Sequence, residues 1–132
     1  TVLELRSSFI QNHPKIRKSE EYLPRIVSDI VSSPLVENRL RERFLTAEEY
    51  RNLLLQKSYS ILTEIDSANR GGRNPYIFAV STVYCADRML SKKTGKKPIL
   101  TQKILAKIAK VAEYSIRDHY TSVLKPLILL KQ

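Results

Sequence analysis

The sequence predicts an all-α protein that consists of one domain. Glycine accounts for only three of its 132 residues, which argues against the turn-rich chain of an all-β fold. Apolar residues recur at spacings of three and four along most of the chain, whereas the alternation typical of β-strands is scarce. We therefore expect a lead-in segment over residues 1–18 and a single helical domain over residues 19–132.

Residues 1–18 predict a short lead-in helix that breaks at Pro14 and continues as a basic linker. Because the chain does not begin with methionine, we expect it to be a fragment or a processed product. The first core helix is expected to have Ser19 as its N-cap, with two glutamates in its first turn, and to end at Ser32–Pro34. Its expected buried stripe is Leu23, Ile26, Val27, Ile30 and Val31.

The second core helix is expected to begin at Thr46-Ala-Glu-Glu49 and to run to about Asp66. These four residues form a capping box, in which the threonine hydroxyl and the glutamate carboxylate each satisfy a backbone N–H. The charged segment Glu37–Arg43 before it alternates in sign and is expected to be a solvated surface. The expected buried side chains are Tyr50, Leu53, Leu54, Ile61, Leu62 and Ile65.

A third helix is expected after Asn74-Pro75, a capping residue followed by proline at the first helical position. Its sequence, YIFAVSTVYCADRML, is apolar nearly all round, which is typical of the central helix of a bundle. The loop before it places Gly71 and Gly72 beside arginines. It lacks the strand and the Lys-Ser/Thr pair of a phosphate-binding loop, so we expect no phosphate site there.

The chain from about residue 101 to residue 124 predicts two short helices joined by a tight turn, which is the arrangement of a helix-turn-helix. Thr101 is the expected N-cap of the fourth helix, the turn falls at Lys110–Ala112, and Pro126 limits the fifth helix. The closing LILL fits either a strand or a turn of helix. The expected inward side chains of these two helices are Leu105, Ile108, Ala109, Ile116, Tyr120, Val123 and Leu124.

The positive charge of the protein is concentrated in one window. Eight basic residues and no acidic residue lie between Arg88 and Ala112, and they supply most of the net charge of +10. A one-sided field of this kind suits phosphates or an anionic membrane, while a merely soluble basic surface is the alternative interpretation.

The sequence does not indicate an enzyme. His13 and His119 lie far apart, and neither belongs to a catalytic or metal-binding motif. Cys85 is the only cysteine, so the chain offers no disulfide framework and no zinc cluster, and we expect Cys85 in the core. No apolar run is long enough to span a membrane, and no signal peptide is recognisable. We expect no cofactor, no metal and an intracellular location.

The expected outward face of the fifth helix carries side chains that suit DNA. Tyr114, Arg117, Asp118 and Thr121 follow one another at helical spacing. Arg117 could make the bidentate contact to guanine, and Tyr114 could touch a thymine methyl group or a phosphate. The residues assigned to backbone phosphates are Lys96, Lys97, Lys103, Lys107, Lys110, Ser115 and Thr121. On this pattern alone, ordinary surface charges on a helical hairpin are the alternative.

Three segments resemble a cyclin-like repeat of transcription factor IIB and its archaeal counterpart, transcription factor B, most of all the C-terminal repeat. The resemblance covers about residues 20–125, through EEYLPRIVSDI, RNPYIFAVSTVYCADRM and TQKILAKIAKVAEYSIRDHY. The matching positions are Tyr22, Pro24, Arg25, Arg73, Pro75, Ala79, Tyr84, Ala86, Thr101, Gln102, Lys103, Ala106, Ala109, Val111, Ile116, Arg117 and Tyr120.

The resemblance implies a five-helix cyclin-like domain whose helix-turn-helix reads promoter DNA next to the TATA box, together with TATA-binding protein. RNA polymerase would be contacted through parts absent from this chain. The protein would lie with chromatin or the nucleoid, in the nucleus of a eukaryote or the cytoplasm of an archaeon. By position, the family's base-reading residues fall on Tyr114 and Arg117.

The chain departs from the family pattern at several positions. Lys110 stands where the turn glycine is usual, Ile104 replaces an acidic residue, and Tyr114 replaces a small apolar base reader. The segment Glu37–Tyr50 is longer than the family norm, and the chain has one repeat without a zinc ribbon. Two other functions remain open at this point: a cyclin-like module that binds a kinase or polymerase partner, and a stand-alone helix-turn-helix regulator that dimerises on a palindrome.

Overall fold

The computed structural model describes residues 18–65 and 73–126, and these residues form an all-α structure, as the sequence predicts. No β-strand occurs among them. A five-residue π-helical turn, Tyr120–Leu124, continues the last helix. The six α-helices are α1 (Ser19–Val31), α2 (Pro34–Glu42), α3 (Ala47–Glu64), α4 (Pro75–Thr94), α5 (Gln102–Ala109) and α6 (Glu113–His119).

Helix α4 lies at the centre of the bundle, which confirms the prediction from its nearly uniform apolar sequence. Residues 78–87 are all buried, and α4 packs against α1, α3 and α6. The side chain of Asn74 caps its start by accepting the N–H groups of Tyr76 and Ile77 at 2.9 and 3.2 Å. Gly95 ends it with a φ of 74°, a left-handed conformation that glycine adopts without steric cost.

The expected role of Ser19 as N-cap of α1 is wrong by one residue. Lys18 is the N-cap, and its N–H is accepted by the carboxylate of Glu21 at 3.0 Å. Ser19 is buried, and its hydroxyl donates a hydrogen bond of 2.9 Å to the carbonyl of Pro75. The serine therefore links the start of α1 to the start of α4, because a tertiary acceptor is available to it. Of the predicted stripe, Leu23, Ile26, Val27 and Ile30 are buried and Val31 is half-buried.

Helix α2 is absent from the sequence prediction, which gave five core helices instead of six. Ser33 and Pro34 predict the end of α1, but Pro34 is also the first residue of α2, where its missing N–H costs nothing. The expectation that Glu37–Arg43 forms only a solvated surface is also wrong. Val36 and Leu40 are buried at a spacing of four and attach α2 to the core.

Helix α3 begins as predicted, with one difference in its cap. The hydroxyl of Thr46 accepts the N–H of Glu49 at 3.1 Å, but the Glu49 carboxylate accepts from that same hydroxyl at 3.0 Å rather than from a backbone N–H. Leu53 was expected to be buried and is 42% exposed, whereas Ser58 is fully buried. The other predicted core residues of α3, Tyr50, Leu54, Ile61, Leu62 and Ile65, are buried.

Three predictions fall outside the described residues: the lead-in helix, the loop with Gly71 and Gly72, and the closing LILL. Among the described helices, none has an apolar stretch long enough to cross a membrane.

Candidate nucleic-acid interface

The turn between α5 and α6 lies where the sequence predicts it. Thr101 caps α5 by accepting the N–H of Ile104 at 3.1 Å. Lys110 ends α5 with φ 59° and ψ 45°, and the N–H of Val111 then bonds to the carbonyl of Ala106 at 3.1 Å. A left-handed residue at this point is usually glycine because any Cβ is crowded there. The lysine therefore holds a strained conformation in order to make the same turn.

The helical hairpin of α5 and α6 is attached to the central helix α4 through its inner side. The hydroxyl of Tyr76 donates a hydrogen bond of 2.6 Å to the carbonyl of Ala109, and burial raises the pKa of that tyrosine. Leu105 and Ile116 are completely buried, and Leu124 is 1% exposed. The hairpin thus has a defined inner side, and its opposite side faces solvent.

His119 belongs to the inner side of α6, although the sequence gave no indication of it. It is buried, its Nδ1 lies 2.8 Å from the carbonyl of Ser115, and its ring meets Phe78 edge-on at 6.0 Å. Tyr120 packs edge-on against Tyr84 at 5.1 Å. The next fully buried residue is five positions after His119, as the wider π-helical turn requires. The predicted inward residues Tyr120 and Val123 are consequently only half-buried.

The outward side of α6 presents the predicted base-reading residues to solvent. Tyr114 is 70% exposed, and Arg117 is exposed with no side-chain hydrogen bond or ion pair to the described residues. Asp118, in contrast, pairs with Arg73 at 3.6 Å, so its charge is partly neutralised. The hydroxyl of Thr121 donates to the carbonyl of Arg117 at 2.9 Å. Arg117 and Tyr114 are therefore the two large side chains that this surface leaves available.

The lysines assigned to phosphates lie on two parts of the fold. Lys103, Lys107 and Lys110 are exposed on α5 and its turn, next to α6. Lys96 and Lys97 lie beyond the C-terminal end of α4. The turn that carries Lys110 meets α4 at Tyr76 and Lys96 follows the end of α4, so about 20 Å or more of helix separates Lys110 from Lys96. The lysines of α5 and its turn lie next to α6.

Arg39 of α2 and Arg43, the residue that follows α2, hold the loop that carries Lys96 and Lys97. Arg39 donates through Nε to the carbonyl of Ile99 at 2.5 Å and through Nη2 to that of Pro98 at 3.1 Å. Arg43 donates through Nε to the carbonyl of Lys97 at 2.8 Å and through Nη2 to that of Pro98 at 3.1 Å. The ammonium group of Lys96 bonds to the carbonyl of Arg43 at 2.9 Å, so its charge is partly used within the protein.

Asp87 secures the same loop from the side of α4. Its carboxylate accepts the N–H groups of Ile99 and Leu100 at 3.3 and 2.9 Å and the hydroxyl of Tyr50 at 2.8 Å. Burial raises the pKa of this carboxyl group, and the three hydrogen bonds oppose that rise because they favour the charged form. Asp87 thereby fixes the chain immediately before the start of α5.

Neither of these attachments of the loop is predicted from the sequence pattern. The spacing of four between Arg39 and Arg43 was a signal that they share one side of a helix, once Pro34 is recognised as its start. Asp87 could have been noticed as the only acidic residue in the apolar sequence of α4. An acid in such a position needs hydrogen-bond donors.

Two candidate reactive features can be checked in the described residues, the single cysteine and any group of metal-ligating side chains. Cys85 is buried, as predicted, and burial raises the pKa of its thiol to about 12, so it stays protonated and unreactive at neutral pH. No group of three or more His, Cys, Asp or Glu side chains within residues 18–65 and 73–126 is arranged to hold a metal ion.

Comparisons with protein-family models, curated proteins and solved structures gave no match to this chain. The likeness to factor IIB therefore rests on the sequence motifs alone, and the site is interpreted from its own geometry and charge.

Proposed function

We propose that this protein is a DNA-binding module of a transcription initiation factor similar to factor IIB, and that it inserts α6 into the major groove of promoter DNA. The observation that carries the proposal is the exposed pair Tyr114 and Arg117 beside a helix-turn-helix bend that carries Lys110. A recognition helix contacts base edges with its N-terminal residues, and both side chains lie in the first five residues of α6.

Arg117 is the proposed base reader, because a free guanidinium can bind O6 and N7 of guanine together. Tyr114 is large and exposed enough to contact a thymine methyl group or the sugar-phosphate backbone. Lys103, Lys107 and Lys110 would neutralise phosphates on one flank of the groove. Lys96 and Lys97 are farther away and would contact only a duplex that extends beyond the groove containing α6.

The test is selection from duplexes in which a TATA box is flanked by randomised base pairs, with and without TATA-binding protein. We expect a flanking preference to be enriched, with Arg117→Ala costing about 1–3 kcal/mol on the enriched site and flattening the preference at one base pair. Arg41→Ala is the matched control, because Arg41 is also exposed but lies on α2 and pairs with Glu37. The affinity should fall with salt by a slope of about −0.9 per phosphate neutralised.

Each failure of this experiment has a specific meaning. Equal losses of Arg117→Ala on the enriched and random duplexes would remove Arg117 from base reading. Absence of duplex binding both with and without TATA-binding protein would overturn the proposal in favour of a protein-interaction module. A dimeric mass in solution with enrichment of a palindrome would favour a stand-alone regulator instead.

A further inference from the structure

An apolar groove lies at the C-terminal end of α4, whereas the turn between α5 and α6 meets α4 near its N-terminal end, at Tyr76. The groove has a volume of about 160 Å³, and it lies between the start of α3, the end of α4 and the loop before α5. This is close to the size of a cavity that accepts a benzene ring, roughly 150 Å³. The side chains that give the groove its apolar character are Leu45, Tyr50, Leu53, Leu90 and Ile99.

Phe44 follows Arg43, which lines this groove, and it lines an adjoining hollow that shares Lys96 and Lys97 with the groove. Its ring is 91% exposed, and its φ of 56° is a left-handed conformation that disfavours any residue with a Cβ. The N–H of Phe44 bonds to the carbonyl of Arg41 and that of Leu45 to the carbonyl of Leu40, a helix ending that normally carries glycine. The exposed ring of Phe44 therefore adds little packing to the core, while its left-handed backbone conformation costs stability.

The rim of the groove is positively charged. Lys93, Lys96 and Lys97 line it and are exposed, and Arg43 lies beside them. Of the carboxylates nearby, Asp87 is held by backbone N–H groups at the bottom, and Glu42 lies 3.4 Å from Arg43. The groove thus combines a small apolar interior, an exposed aromatic ring and a cationic edge.

We propose that this groove, with Phe44 in the adjoining hollow, binds an acidic peptide segment of a partner protein through one aromatic or large aliphatic side chain. The side chain fills the groove and stacks near Phe44, while acidic residues on either side pair with the lysines. A nucleobase has the right size, but its polar edge would be buried among apolar side chains without hydrogen-bond partners, which is costly. The chemistry of the lining therefore favours a hydrocarbon side chain over a base.

The experiment uses short fluorescein-labelled peptides of Asp, Glu and Ser, with a single central Phe in one peptide and Ala in its place in the other. Fluorescence anisotropy should give at least about tenfold tighter binding for the Phe peptide, as expected for an anchor residue in a pocket. Phe44→Ala, Leu53→Asp and Lys93→Glu should each weaken that binding by about tenfold. Phe44, Leu53 and Lys93 are all exposed, so these variants should fold, which thermal unfolding will verify.

Lys18→Glu is the matched control, because it makes the same charge change as Lys93→Glu on an exposed residue away from the groove. It should leave the peptide affinity within about twofold, since a distant surface charge is screened by salt. Amide chemical shifts should change at Leu45, Leu53 and Leu90 when the Phe peptide is added.

Three results would overturn the proposal: equal affinities of the Phe and Ala peptides, an equal loss in Lys18→Glu and Lys93→Glu, or no peptide binding at all. Displacement of the Phe peptide by a single-stranded oligonucleotide, with shifts at the same amides, would assign the groove to a base instead.

Discussion

The two ends of α4 carry two basic surfaces that are built in opposite ways. Near the N-terminal end, the turn after α5 presents Lys110 and α6 presents Arg117, both exposed to solvent. At the C-terminal end, lysines border an apolar groove, and Arg39 and Arg43 donate hydrogen bonds to backbone carbonyls of the loop before α5. The same kind of charge therefore serves two surfaces of different chemistry.

Each of the two ends contains a non-glycine residue in a left-handed backbone conformation. Lys110 ends α5 and Phe44 ends α2, and they are the two non-glycine residues with positive φ in the described part of the chain. Strained conformations that add nothing to packing are common at functional surfaces. One end uses its strained position to display a charge and the other to display an aromatic ring, as expected if they contact different partners.

The largest expected effect concerns how the groove end is held in place. Arg39→Ala removes hydrogen bonds to the carbonyls of Ile99 and Pro98 from a half-buried guanidinium, so the free energy of unfolding should fall by about 2–3 kcal/mol. Arg41→Ala should cost about 0.5 kcal/mol or less, because Arg41 is exposed and pairs only with Glu37 one turn away. Urea unfolding of both variants measures the difference, and equal losses would show that the carbonyl contacts do not hold the loop.

The next effect concerns Asp87, which holds the same loop from the side of α4, and its dependence on pH. Asp87→Asn should lower the free energy of unfolding by about 1–3 kcal/mol at pH 7, since a buried carboxylate loses its hydrogen bonds. Burial raises the pKa of Asp87 in the folded protein, so the folded state binds its proton more tightly than the unfolded state does. Its contribution to stability is then greatest at low pH and declines as the pH rises from the ordinary aspartate pKa to the raised one.

The deficit of Asp87→Asn relative to the unaltered protein should therefore shrink as the pH rises from about 4, the ordinary aspartate pKa, through the raised pKa of Asp87, because asparagine does not titrate. Urea unfolding at several pH values measures this trend. A deficit that grows with pH would show that the three hydrogen bonds outweigh burial and lower the pKa instead.

The difference between the two ends also explains what the sequence could predict. The turn end depends on local signals: the cap at Thr101, the break at Lys110 and the stripe through Ile116 are read from neighbouring residues. The groove end depends on contacts over long separations, such as Arg39 with Ile99 and Tyr50 with Asp87. No periodicity encodes such pairs, so the sequence predicts neither the attachment of the loop by Arg39, Arg43 and Asp87 nor the groove.

Single local signals misled the prediction where tertiary contacts compete with them. Ser19 has the residue type of an N-cap, but its hydroxyl is taken by the carbonyl of Pro75. Leu53 lies on an apolar stripe and is still 42% exposed, because it borders the groove. The all-α class and the central position of α4 survive such errors, since they depend on the pattern of many residues together.

The smallest expected effects come from replacing the two strained residues with glycine, and they test the comparison most directly. Lys110→Gly and Phe44→Gly should each raise the free energy of unfolding by about 1 kcal/mol, because glycine adopts the left-handed conformation without a Cβ clash. Their effects on binding should separate. Lys110→Gly should weaken duplex DNA and spare the acidic peptide, and Phe44→Gly should do the reverse. Thermal unfolding measures the gain in stability, and the duplex DNA and acidic peptide assays measure the two affinities. A variant that gains stability and keeps both affinities would show that its strained side chain serves neither surface. The functional distinction between the two ends of α4 would then fail.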